Sequence, residues 1–143
     1  MIKEFKGQYR FLSNFYMAPV VYEGLEYPSS EHAFQAAKSL SGAVRKVISK
    51  LSTPGKAKRA GRKVTLRPDW NIVKVQIMEE IVRDKFTRNE ELGKALLETE
   101  DQELVEGNTW GDIFWGVALA TDIGQNNLGK ILMRVRDEIR NQS

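Results

Sequence analysis

The chain has 143 residues, 41% of them hydrophobic and 29% charged, with a formal net charge of +3. That suits one soluble globular domain with a single core, and no apolar run approaches the ~20 residues of a membrane span. Cysteine is absent and histidine occurs once, which excludes a disulfide frame, a thiolate nucleophile and a Cys- or multi-His zinc site. The opening Met1-Ile2-Lys3-Glu4-Phe5-Lys6 lacks the apolar centre of a secretory signal. The expectation is an intracellular, cytoplasmic protein that needs no metal.

In chain order, residues 5–15 read as irregular, with room for a short strand. Val20-Val21-Tyr22, Glu23-Gly24 and Leu25-Glu26-Tyr27 read as a small hairpin with Gly24 in the turn. Pro28-Ser29-Ser30 offers a cap for a helix over 31–40. Val44, Val47, Ile48 and Leu51 follow the i, i+3, i+4, i+7 pattern of a second helix over 42–51, and Thr53-Pro54 starts a short third one. After the break at Arg67-Pro68-Asp69-Trp70, with Asp69 or Asn71 as cap, a broad apolar stripe predicts a helix over 72–86. Residues 90–99 form another helix, 104–120 are extended or irregular, and Leu128, Ile131, Leu132 and Val135 mark a last helix over 127–141. No βαβ unit is visible. The predicted fold is mainly α, a single compact domain spanning 1–143 with a small N-terminal β-hairpin and short strands.

Charge is unevenly spread. From Arg45 to Arg67 there are nine basic residues and no acid, whereas from Glu90 to Glu106 seven acids face Lys94 alone. The basic stretch reads either as a solvated face or as a surface that attracts phosphates.

The richest segment is Glu31-His32-Ala33-Phe34-Gln35-Ala36-Ala37-Lys38. Spacings of four and seven put Glu31, Gln35 and Lys38 on one helical stripe. The helix dipole keeps a first-turn carboxylate ionised, which suits Glu31 to general-base or charge-stabilising work. Lys38 becomes a nucleophile if partly buried, because desolvation lowers an amine's pKa. Gln35 either orients a substrate hydroxyl or faces solvent. His32, about 100° around the helix from Glu31, reads as structural. Asp112, in Asp112-Ile113-Phe114-Trp115-Gly116, is the candidate second acid. Phe15, Trp70, Trp110 and Trp115 are candidate stacking surfaces, at least two of them more fitting as core. The segment 122–129, Asp-Ile-Gly-Gln-Asn-Asn-Leu-Gly, is a candidate for holding phosphate on exposed amides, although it is neither a P-loop nor a dinucleotide fingerprint.

These residues, with Phe11-Leu12-Ser13-Asn14-Phe15, Gly61-Arg62, Arg67-Pro68-Asp69-Trp70, Met78, Lys85-Phe86 and the run 124–133, make the chain resemble the NADAR family, named for NAD and ADP-ribose. The resemblance covers nearly the whole chain. It implies a mostly helical domain that cleaves the N-glycosidic bond between ribose C1 and an amine nitrogen. The substrates it implies are aminated ribosyl-phosphate pyrimidines of the riboflavin pathway, or ADP-ribose carried on guanine, free or in nucleic acid. It further implies a lysine that forms a ring-opened Schiff base, with no metal or redox cofactor required; Lys38 takes that role, with Lys85 in reserve. Glu31 then serves as acid/base, and Asp112 activates water or holds ribose hydroxyls. Asn14 and Asn126 bond sugar or base, Gln35 bonds substrate, Phe15, Trp70 and Trp115 stack, and Arg62 meets phosphate. Residues 116–123 depart from the riboflavin-linked members, which leaves the leaving group open. A non-catalytic ADP-ribose or nucleic-acid binding module is the alternative.

Overall fold

In the computed structural model, residues 1–142 are described. They form two compact units, one of residues 14–89 and one of residues 1–13 with 90–142. The architecture is mostly helical with a small antiparallel hairpin, as predicted. Among the described residues no helix is long and apolar enough to cross a membrane.

The first unit opens with the hairpin, β1 (Met17–Tyr22) paired antiparallel to β2 (Leu25–Ser29). Its two-residue turn has positive φ at both positions, 46° at Glu23 and 81° at Gly24. That is the backbone twist tight hairpins need, and Gly24 adopts it without a Cβ penalty. The outer edge of β1 is closed by side chains: Val21 N–H donates to Asp84 Oδ2 at 2.7 Å, and Asn89 Nδ2 donates to Pro19 O at 2.9 Å.

Four helices follow: α1 (Ser30–Ala37), α2 (Gly42–Ser49), α3 (Pro54–Gly61) and α4 (Trp70–Arg88). The first three are capped by Ser29, Ser41 and Thr53, each accepting from the third residue on; Ser29 and Thr53 stand where the sequence predicts, and Ser41 is a cap the sequence reading did not name. The fourth is not. Asp69 stands at the cap position, but its carboxylate is taken by Arg67 and makes no capping bond. The helix still starts at Trp70, two residues earlier than expected, because Asp69 O accepts from Ile72 N and Val73 N. In α2 only Ile48 of the predicted stripe is buried, and Val47 is 62% exposed.

Helix α1 is buried at every one of its eight positions. Eight residues are too few to hold a helix in water, so packing by α2, α3, α4 and the hairpin sustains it. Its polar groups must therefore be paired inside the protein. Glu31 N–H donates to Asn14 O at 3.1 Å, and Asn14 Oδ1 accepts from Ser30 Oγ at 2.9 Å. His32 lies between Ser29 Oγ (Nδ1, 2.6 Å) and Leu51 O (Nε2, 2.9 Å). A carbonyl only accepts, so Nε2 carries the proton and Nδ1 accepts from the serine hydroxyl. His32 is thus the structural group the sequence suggested.

In the second unit, residues 7–12 form a 3₁₀ helix where the sequence suggested irregular chain or a strand. Ile2 N–H donates to Glu103 O and Val105 N–H donates to Ile2 O, a parallel bridge between Ile2 and Leu104, and β3 (Gly107–Asn108) runs parallel to β4 (Val117–Ala118). Helices α5 (Glu90–Leu97) and α6 (Asn127–Asn141) complete it, with Leu128, Ile131, Leu132 and Val135 of α6 buried as predicted.

Burial lowers the pKa of His32 below its ordinary value, opposed in part by the bond to Leu51. The unfolded chain then binds a proton near pH 6.5 that the folded chain refuses. The stabilisation from this group is fully present above about pH 6.5 and declines as pH falls toward the folded-state value. The single imidazole can be followed by proton NMR: its midpoint should lie below 6.5, and a midpoint at or above that value contradicts the assignment. Ser29→Ala, which removes both the cap and the imidazole's partner, should cost about 1–2 kcal/mol in urea unfolding.

Candidate active site

The first unit brings together Glu31, Gln35, Lys38 and Arg62. Glu31 and Gln35 are buried on α1, and Gln35 Nε2 donates to Glu31 Oε2 at 2.6 Å. Gln35 is therefore neither solvent-facing nor idle. Lys38 caps the helix with helical dihedrals, so it stays on the stripe of Glu31 two turns on. Side chains on a helix lean toward its N-terminus, which sends the Lys38 amine back over Gln35 toward the carboxylate.

The end of α1 is fixed by one arginine. Arg67 N–H donates to Lys38 O at 2.8 Å, and Arg67 Nη1 donates to Ala37 O at 3.4 Å. The guanidinium is held in turn by Asp69, at 2.7 and 3.2 Å. This closure stops α1 short of the predicted Leu40, and it places a cation at the negative end of the helix dipole.

Burial pushes the Lys38 amine below the ordinary lysine pKa. The nearby carboxylate of Glu31 opposes this, while Arg62, Lys58 and Lys74 push it further down. Four basic groups from α1, the C-terminal end of α3 and the start of α4 thus share one field with a single carboxylate. Lys58 and Lys74 were not singled out in the sequence. Their signal was the basic run for Lys58, and nothing local for Lys74. Phe15 is 45% exposed, with Lys58 Nζ over its ring, 5.9 Å from the centroid.

Other expected groups are occupied elsewhere. Trp70 is buried, its ring 5.0 Å from Phe34, which makes it core rather than a stacking platform. Asn14 has its amide oxygen on Ser30 and its Nδ2 3.5 Å from Met78 Sδ, so its side chain braces the entry to α1. Lys85 is buried in α4, its Nζ 5.7 Å from the Tyr16 ring centroid and 5.0 Å from that of Phe86.

Asp112, Trp115 and Asn126 belong to the second unit. Asp112 Oδ1 accepts from Phe114 N–H at 3.1 Å and Trp115 N–H at 2.9 Å, an Asx turn that shapes its own loop. Trp115 packs edge-on against Phe114 at 4.8 Å. Asn126 is buried in the left-handed region (φ 54°), accepting from Glu106 N–H and donating to Leu104 O. It is a structural staple. The amides of residues 125–128 all donate to carbonyls of 113–116, so this segment offers no phosphate cradle there.

The Lys38 environment gives a direct test. In competitive acylation across pH, Lys38 should titrate below the exposed lysines. Arg62→Ala should raise its midpoint and Glu31→Gln should lower it; shifts of the opposite sign would contradict the arrangement.

A family model described as the NADAR domain matches residues 2–140. The chain is 39% identical to the N-glycosidase YbiA of Escherichia coli (strain K12) over 133 residues, covering 92% of this chain and 82% of that protein. It is 41% identical to an N-glycosidase of Nostoc punctiforme over 138 residues, covering 93% and 87%. A riboflavin biosynthesis protein of Vibrio vulnificus is 38% identical over 132 residues, 91% of this chain but 35% of that longer protein. The NMR structure of E. coli YbiA superposes with a TM-score of 0.87 at 36% identity, covering 99% of this chain and 86% of that one.

Proposed function

The chain belongs to the NADAR family, and from that premise we propose that it is an N-glycosidase, hydrolysing the bond between ribose C1 and an amine nitrogen. Its substrate, on this reading, is an ADP-ribose or ribosyl-phosphate conjugate. The observation that carries the proposal is the stripe of α1. A buried carboxylate and a half-buried amine of lowered pKa share one helix face, ringed by Arg62, Lys58 and Lys74.

The chemistry follows from those groups. The lone pair of a glycosidic N–H can open the ribose ring to a C1 iminium once the ring oxygen is protonated. The neutral Lys38 amine adds to C1, a proton passes to the original nitrogen, and that amine departs, leaving a lysine imine. Water adds to the imine, gives up a proton, and expels Lys38 as the free amine; the sugar aldehyde then recloses. Glu31 moves the protons in both halves. Low amine pKa matters because only the unprotonated lysine can attack. The cations favour a substrate phosphate, and Phe15 offers a surface for a base.

This route prefers a leaving amine that still carries N–H, such as an exocyclic amino group, because only that nitrogen gives a neutral ring-opened imine. Asp112 enters as the group that shapes the Phe114–Trp115 turn.

The test is incubation with ADP-ribosylated guanosine and with ribosylamino-pyrimidine phosphate, following the released sugar by chromatography. Glu31→Gln and Lys38→Ala should each lower kcat by about 10²-fold or more. Borohydride should trap a sugar adduct on Lys38. An adduct on Lys85 instead would move the amine's role there, and tight binding without product from either substrate would favour the binding-module reading.

A further inference from the structure

Two features of the first unit are costly to the fold, and both lie at one contact. Gln35 is 5% exposed, yet its Oε1 accepts no hydrogen bond among the described residues. A buried acceptor without a donor is destabilising. The other is Gly61, buried in the last turn of α3, where glycine is a poor helix former. The two face each other. A Cβ built on Gly61 would collide with Gln35 Oε1 and lie 2.7 Å from its Cδ and 3.0 Å from its Cβ.

The orientation of the amide is not arbitrary. At 2.6 Å from Glu31 Oε2 only the amide nitrogen can sit, since two acceptors would repel. The oxygen must then turn toward α3, and it has room only because residue 61 has no side chain. Local consistency is given up at two positions, and what is gained is a donor held on the carboxylate.

We infer that Gly61 and Gln35 are positioning residues for Glu31: the missing side chain at 61 lets α3 close on α1 and wedge the Gln35 amide against the carboxylate. This rests on Glu31 being the proton-transfer group of the proposed glycosidase. Gln35 touches Glu31, and Gly61 acts only through Gln35. The amide N–H favours the ionised carboxylate, so loosening it should shift the carboxyl titration upward.

The contact predicts a specific pattern of coupling, because the three nearest atoms to the Gly61 Cβ position all belong to the Gln35 side chain. The experiment is a cycle of Gly61→Ala, Gln35→Ala and the double variant in the full chain. Two readouts are the pH profile of kcat/KM and the Glu31 carboxyl titration by carbon-13 NMR.

Gly61→Ala should lower kcat/KM at least about tenfold, toward the order of 10²-fold that a 1 Å misplacement costs, and move the acid limb to higher pH. Gln35→Ala should do the same. The double variant should be no worse than Gln35→Ala alone, since the obstruction has gone. Should Gly61→Ala fail to fold, folding restored in the Gln35→Ala background supports the contact, and failure in both backgrounds overturns it. The inference is also overturned if Gly61→Ala leaves rate and carboxyl titration unchanged, or if the two losses multiply. If the parent chain cleaves neither conjugate, the glycosidase reading falls, while the carboxyl titrations of the four proteins still decide the coupling.

Discussion

Helix α1 has no side that faces water, and much of the first unit follows from that constraint. A buried helix of eight residues carrying a carboxylate, an imidazole and an amide requires a partner for each polar atom it can provide for. Asn14 and Ser29 take the amides at its start, Leu51 and Ser29 hold His32, Gln35 engages Glu31, and Arg67 receives the last carbonyls. Groups that would otherwise be free to meet a ligand are thereby committed to the scaffold. The same commitments fix the stripe on which Glu31 and Lys38 stand, so the scaffold and the site are one set of bonds.

The electrostatics have the same origin. A solvated lysine is a spectator at neutral pH, but Lys38 is half-buried and surrounded by Arg62, Lys58 and Lys74. Each of those cations favours its neutral form, and each also favours an anionic ligand nearby. One arrangement therefore has two effects, which the proposed function uses together: it lowers the amine's proton affinity and it favours an anion at the same place. Glu31 opposes the first effect, which leaves the amine tuned rather than simply suppressed.

Local signals were legible in the sequence where local chemistry decides them. Ser29 and Thr53 cap where their side chains predict, the hairpin turns at Glu23-Gly24, and the α6 stripe is the buried one. The register of Glu31, Gln35 and Lys38 needed only the helical period. What could not be read was competition between partners. Asp69 has the residue type and place of a cap, yet Arg67 two residues away binds it more strongly. Asn14, Asn126 and Asp112 have the donors and acceptors of ligand-binding residues, and backbone groups or neighbouring side chains claim them. Trp70 at the start of α4 packs on Phe34 of α1, a contact between helices distant in sequence and invisible to any local pattern. Lys74 entered the site for the same reason: only the packing of α4 brings it near.

The hairpin carries a consequence of another kind. A two-stranded sheet has two open margins, and an unpaired margin is a template on which a second molecule can add a strand. On β1 that template is spoiled: Pro19 has no N–H to give, its carbonyl is taken by Asn89, and the Val21 N–H is taken by Asp84. An incoming chain would have to displace a carboxylate and an amide before gaining a bond. On this margin the protein thus carries, in three side chains of its own, a built-in resistance to strand addition.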